Sequence, residues 1–346
     1  MAKVGIITFL HNENYGSSLQ AYALQRAVRE AGHDCEHIDY MPDRKEKIRN
    51  LLCSGNDLKL IAEGLRKRSV RSAQQGAREK SGAIPAFYRE RMKLGPVCRN
   101  RAELRNQAEK YDILVCGSDQ IWNPVWLNPA YFLTFAPEGI RKVAYAASLG
   151  IRTMPAARKV RKIRKWTEGF SAISVREEEG AELLEKMTGL KADVMPDPVC
   201  LLSREEWEEV AVPCGDGPYL LCYFIGENES YWEKVRKLSA ESGLPVRVIP
   251  VTAESYASGY ELLDDIGPER FLGAIRNASL FCTDSFHGLA FGTIFGTKTE
   301  VIRRYREDDP ESKNSRVDHF LRLRDEKGPD RIREEGREWL ARQLKA

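Results

Sequence analysis

Residues 4–41, VGIITFLHNENYGSSLQAYALQRAVREAGHDCEHIDYM, carry two hydrophobic periods separated by a polar loop. VGIITF (4–9) is a continuous apolar run, the pattern of a strand buried on both faces. From Ser18 the period changes: Leu19, Ala23, Leu24, Ala27 and Val28 fall on one helical face, and Gly32 ends it. CEHIDYM (35–41) returns to a strand pattern. Strand, loop, helix and strand make a βαβ unit, which predicts parallel pairing through a right-handed crossover.

Strand signals recur at 111–119 (YDILVCGSD), 142–150 (KVAYAASLG) and 171–177 (SAISVRE). A helix over 177–189 follows, and ADVMPDPV (192–199) gives a short strand before a proline turn. A second series starts after the VPCGDGP loop (212–218), with strands at 219–226, 245–251, 280–285 and 299–304. Helices fall around 229–242, over 267–279 and from His287, and two more close the chain. This alternation predicts an α/β fold of two Rossmann-like domains, each with a mainly parallel sheet. The expected boundaries are 1–200 and 201–329, with the final helix, 330–346, packing back on the first domain. Between 43 and 110 there are 18 Lys and Arg against 8 Asp and Glu, so this stretch reads as a basic, mainly helical insertion in the first domain. Its only aromatic residues are Phe87 and Tyr88, which fits a solvated helical face better than a base-stacking surface.

The composition of the 346 residues, 42% hydrophobic and 30% charged, is that of a soluble globular protein long enough for two domains. A net charge of +3 gives nucleic-acid binding no support. The first apolar run is too short for a membrane span or a signal peptide, so the expectation is a cytoplasmic protein. The basic insertion offers peripheral contact with the inner face of the membrane, against the plainer reading of a solvated lid. No two of the eight cysteines lie closer than eight residues, which excludes CxxC motifs; they read as reduced core thiols. No carboxylate–histidine cluster has ligand spacing, so no metal is expected.

In open α/β sheets, ligands bind beyond the carboxyl ends of strands. After the first strand, HNENYGSS (11–18) offers Asn14 and Ser17 as polar contacts and Gly16 for close backbone approach, although either polar residue would equally cap the helix. It is neither GxGxxG nor a Walker A loop. After the third strand comes GSDQIWNPVW (117–126), where Ser118, Asp119, Trp122 and Trp126 suit a sugar; the alternative is that either indole anchors core. Arg176 follows SAISV, well placed for an anion unless it pairs with Glu178 or Glu179. CTDSFHGLAFGTIFG (282–296) places Asp284, Ser285, His287 and Gly288 where a helix begins; they either cap it or present the imidazole to a ligand.

In order along the chain, GIITFLHNENYGSSLQAYALQRAV, YDILVCGSDQIWNP, AYAASLG, ISVREEEGAELL, DVMPDPV, FCTDSFHGLAFGTIFG and NSRVDHFL closely resemble the polysaccharide pyruvyl transferase family, over nearly the whole chain apart from the basic insertion. The resemblance implies a glycosyltransferase-B-like fold, two Rossmann-like domains facing a cleft. It also implies transfer of a pyruvyl group from phosphoenolpyruvate onto two hydroxyls of a sugar, in a cell-surface polysaccharide or its lipid-linked precursor, with no further cofactor. On that reading the first domain is expected to take the acceptor, through Asn14, Tyr15, Gly16, Ser118, Asp119, Gln120 and Trp122. The second takes the donor, through Ser285, His287 and Gly288, with His287 and Arg176 as the catalytic pair. Some members carry Arg-Leu before the histidine where this chain has Ser285-Phe286, and Arg303, Arg304 or Arg316 would supply the missing cation. Two rivals share the architecture. One is a sugar-nucleotide glycosyltransferase holding ribose through Glu300 or Asp308; the other is a glycan-binding module without chemistry.

Overall fold

The computed structural model describes residues 1–12, 14–54, 82–264, 266–304 and 314–345. The chain forms two compact units, one of Met1–Gly64, Tyr88–Leu201 and Asp330–Ala346, the other of Leu65–Phe87 and Leu202–Pro329. Of the basic insertion, the described parts include helices Arg44–Ser54, Ala83–Arg91 and Arg101–Ala108, while 55–81 lies outside the described residues.

The first unit is built on six parallel strands: β1 (Lys3–Ile7), β2 (Asp34–His37), β3 (Ile113–Cys116), β4 (Arg141–Ala147), β5 (Ala172–Val175) and β6 (Asp193–Val194). Their order is β2-β1-β3-β4-β5-β6. All four residues of β3 are buried because the sheet is covered on both faces. Ile113 and Val115 point into one core with Leu24, Val28 and Leu201; Leu114 and Cys116 point into the other with Trp122, Phe132 and Leu184. The first of these cores is completed from the chain's far end. Gly328 (φ 75°) and Pro329 break the closing helix, Asn314–Leu344, and beyond the break Trp339, Leu340 and Leu344 enter the first unit.

The second unit carries β7 (Leu220–Tyr223), β8 (Val246–Val248), β9 (Glu261–Leu262), β10 (Leu280–Thr283) and β11 (Thr299–Val301), in the order β11-β10-β7-β8-β9, again all parallel. Its helix Phe286–Phe295 is apolar all round and accordingly lies almost wholly buried, ending at Gly296 (φ 68°). In each sheet the strand order reverses once, at β1/β3 in the first and at β7/β10 in the second. Those two reversals are where an open α/β sheet leaves a crevice for a ligand.

Candidate functional sites at the carboxyl ends of the strands

At the first reversal, Ile7 of β1 lies beside Cys116 of β3, and the two loops beyond them are sewn together. Gln20 does most of this from helix Tyr15–Glu30: its Nε2 donates to Thr8 Oγ1 (3.0 Å) and its Oε1 accepts the Ser118 N–H (3.0 Å), while Thr8 Oγ1 donates to the Ser118 carbonyl (3.0 Å). Gly117 sits at φ 129°, and a Cβ there would come 2.0 Å from the Tyr145 carbonyl oxygen, so only glycine fits. The turn then delivers Asp119, whose Oδ2 accepts from Ser17 Oγ at 2.7 Å and whose Oδ1 accepts the Gln120 N–H at 2.8 Å.

Arg176, at the end of β5, was expected to clamp an anion. Instead it is 3% exposed and already embedded among carboxylates. Its Nη1 donates to Asp197 Oδ2 at 2.5 Å, its Nε to Glu177 Oε1 at 3.3 Å, and its Nη2 lies 3.9 Å from Asp119 Oδ1. Ser148 Oγ, past β4, donates to the same Glu177 oxygen at 2.7 Å. Burial works against the guanidinium's charge, but Asp197, Glu177 and Asp119 more than offset it and raise its pKa above the ordinary arginine value. One cation faces three carboxylates, so the charge of the guanidinium is already matched within the fold. Glu177, next in the chain, is one of its partners, where the sequence suggests Glu178 or Glu179.

Other first-unit expectations need correction too. Ser118 is fully buried, with its N–H, carbonyl and hydroxyl all used internally, the Oγ donating to the Ala146 carbonyl at 2.6 Å. Trp122 is likewise fully buried, its face stacked on Phe132 (4.9 Å between centroids, 7° between planes) and its Nε1 donating to the Tyr131 carbonyl. It is core, and no face is left for a sugar; the exposed indole is Trp126. Asn14 caps its helix, accepting the Ser17 N–H at 3.1 Å, and Gly16 is buried in the first turn. Tyr15 and Gln120 stay half-exposed, and Gln120 adjoins Asp119 in the chain. Ser17, offered as a polar contact or cap, bonds Asp119, whereas Ser148, Glu177 and Asp197 were not singled out, although each follows the end of a strand where such residues are expected.

At the second reversal, Thr283 of β10 lies beside Tyr223 of β7. Asp284 does not cap the following helix. Its side chain clips the neighbouring loop, accepting the N–H groups of Ile225 (2.7 Å) and Gly226 (2.8 Å), the Tyr231 hydroxyl (3.2 Å) and Arg304 Nε (2.9 Å). Ser285 is the cap, its Oγ accepting the Gly288 N–H at 3.3 Å. His287 is thereby set in the first turn of helix Phe286–Phe295, mostly buried, its ring 5.2 Å from that of Phe286. A Cβ on Gly288 would lie 2.6 Å from Thr283 Oγ1, so helix and strand pack too closely there for a side chain. Arg304 is bonded to this motif through Asp284. Arg303 forms an exposed pair with Asp318 (2.9 Å), and Arg316 is half-buried on the closing helix. Glu300 pairs with Lys234 at 2.5 Å, while Asp308 lies outside the described residues. Among the described residues no three His, Cys, Asp or Glu side chains are grouped to hold a metal ion.

Two Rossmann-like units with parallel sheets make this an α/β protein of the glycosyltransferase-B type. The polysaccharide pyruvyl transferase family model matches residues 14–304, and the chain belongs to that family. Its fold is similar to that of a protein assigned as UDP-N-acetylglucosamine 2-epimerase from Listeria monocytogenes (12% identity, TM-score 0.52, covering 96% of this chain and 90% of that one). Further similar structures are a UDP-GlcNAc 2-epimerase from Neisseria meningitidis bound to UDP-GlcNAc (9%, 0.47, 99% and 98%) and an E. coli heptosyltransferase (12%, 0.40, 92% and 99%). No curated protein matches the chain significantly in sequence.

Proposed function

We propose that this protein transfers the pyruvyl group of phosphoenolpyruvate onto two hydroxyls of a sugar, in a cell-surface polysaccharide or its lipid-linked precursor, in the cytoplasm. What supports this most is the pairing, in a member of this family, of His287 in the first turn of a helix with Arg304 held beside the same motif by Asp284. A helix N-terminus, a guanidinium and an imidazole form a set suited to a small, highly charged phosphate ester.

The donor carries a phosphate, a carboxylate and a nucleophilic methylene. In this reading His287 delivers a proton to the methylene, which becomes the methyl group and leaves an oxocarbenium-like centre at the adjacent carbon. One sugar hydroxyl attacks that carbon, phosphate leaves with its bridging oxygen, and the second hydroxyl closes the ketal. Two hydroxyl protons are released: one balances the proton on the methyl group and the other leaves on phosphate. Asp119, oriented by Ser17, accepts a hydroxyl proton on the acceptor side, with Asn14, Tyr15 and Gln120 around it. Arg176 acts as a positioning residue, holding Asp119, Glu177 and Asp197 in place. A positioned acid contributes about 10²–10⁴-fold, and preorganised charge usually contributes more.

The reading is tested by thermal shift with phosphoenolpyruvate, UDP and GDP, followed by phosphate release with a panel of glycan acceptors. Stabilisation by phosphoenolpyruvate together with acceptor-dependent phosphate release is expected. Stabilisation by a nucleotide alone would favour a sugar-nucleotide glycosyltransferase, and glycan binding without phosphate release a non-catalytic relative.

A further inference from the structure

Helix Arg44–Ser54 shows its apolar side outward. Glu46, Asn50 and Ser54, spaced by four, are buried, and Asn50 Nδ2 donates to the Tyr40 hydroxyl at 2.8 Å. Ile48, Leu51 and Leu52 face the other way and are 50%, 37% and 66% exposed. Two neighbours extend this surface. Lys162 Nζ donates to the Cys53 carbonyl at the end of the helix, and Lys159 Nζ donates to the Pro124 carbonyl at 2.6 Å. The turn Pro124–Trp126 thus adjoins helix Ala157–Thr167 and presents Val125 and Trp126, 55% and 44% exposed.

The charges on these elements are one-sided. Helix Arg44–Ser54 carries Arg44, Lys45, Lys47 and Arg49 with a single acid, the buried Glu46. Helix Ala157–Thr167 carries six Lys or Arg and no acid, with Arg158, Arg161, Arg164 and Lys165 exposed. We propose that this face of the first unit docks on an anionic lipid bilayer. Aliphatic side chains and the Trp126 indole, whose N–H is already taken by the Gln120 carbonyl at 3.1 Å, would enter the headgroup boundary, and the surrounding cations would meet lipid phosphates. A fluid anionic surface accepts scattered cations and apolar side chains in any register, whereas a protein partner would need a matching acidic rim around an apolar seat. The inference does not depend on the reaction proposed above.

The test is co-sedimentation of the full chain with vesicles of phosphatidylcholine alone and of phosphatidylcholine with phosphatidylglycerol, at low and high salt. Binding to the anionic vesicles only, weakened at about 1 M salt, is expected. The Arg161→Glu/Lys165→Glu variant should lose about ten-fold or more in binding, as should Ile48→Ser/Leu52→Ser, with unfolding midpoints near wild type because all four residues are exposed. No vesicle binding, equal binding by wild type and both variants, or a wild-type dimer that Ile48→Ser/Leu52→Ser converts to monomer would overturn the proposal; the last would show a second copy covering this face.

Discussion

Arg176 and Asp197, 21 residues apart, form a fully buried 2.5 Å ion pair where β5 and β6 end. Removing the guanidinium leaves Asp197, Glu177 and Asp119 without their shared cation in a buried setting. Arg176→Met should therefore cost about 3–5 kcal/mol in urea unfolding, and Arg176→Lys should recover little because a single ammonium cannot fork between partners. A Met variant as stable as wild type would show that the arginine serves a ligand and not the fold.

His37 supplies a pH dependence. Its Nε2 bonds the Ala21 carbonyl at 3.0 Å, and burial pushes its pKa down from 6.5 to about 4, partly opposed by that hydrogen bond. The folded protein thus keeps it neutral while the unfolded chain takes up a proton. This contribution is fully present above pH 6.5 and is lost as pH falls towards 4. Between pH 7 and pH 5 it amounts to about 2 kcal/mol. Urea titrations at the two values should show that a His37→Gln variant lacks this part of the acid sensitivity; identical pH profiles for variant and wild type would refute it.

The closing helix should matter to the first unit's stability. Trp339 is buried, its ring 5.7 Å from that of Tyr145, and its Nε1 donates to Asp193 Oδ2 at 2.7 Å. Trp339→Ala should destabilise by about 3–5 kcal/mol, read from thermal or urea unfolding. A loss under 1 kcal/mol would mean that the first unit does not need this helix.

Asp119→Asn keeps an oxygen for Ser17 but removes the proposed base. Its amide NH2 would then face the Gln120 N–H and Arg176, so some stability is lost, and kcat should fall by about 10²-fold or more at a temperature where the variant stays folded. An unchanged kcat would remove Asp119 from the proton path.

Much of this was legible in the sequence, for identifiable reasons. Strands such as β3 and β7 are buried on both faces and announce themselves as apolar runs, and their ends locate Asp119, Arg176 and His287 just past β3, β5 and β10. What escaped was set by contacts distant in sequence. The carboxylates around Arg176 come from positions 119, 177 and 197, and only Glu177 is adjacent to it. Trp122 sits among polar residues in sequence, yet the chain curls back so that Phe132 and the Tyr131 carbonyl enclose it. Helix Ala157–Thr167 is so rich in Lys and Arg that Val160, Ile163 and Trp166 alone mark its inner face, and β9, with two residues, has no period to read.

Whether His287 acts on phosphoenolpyruvate is read most directly from phosphate release by wild type and His287→Ala with donor and acceptor. Wild type should show acceptor-dependent release and the variant a drop of about 10²–10⁴-fold, with unfolding unchanged. Turnover by His287→Ala at the wild-type rate would contradict that role.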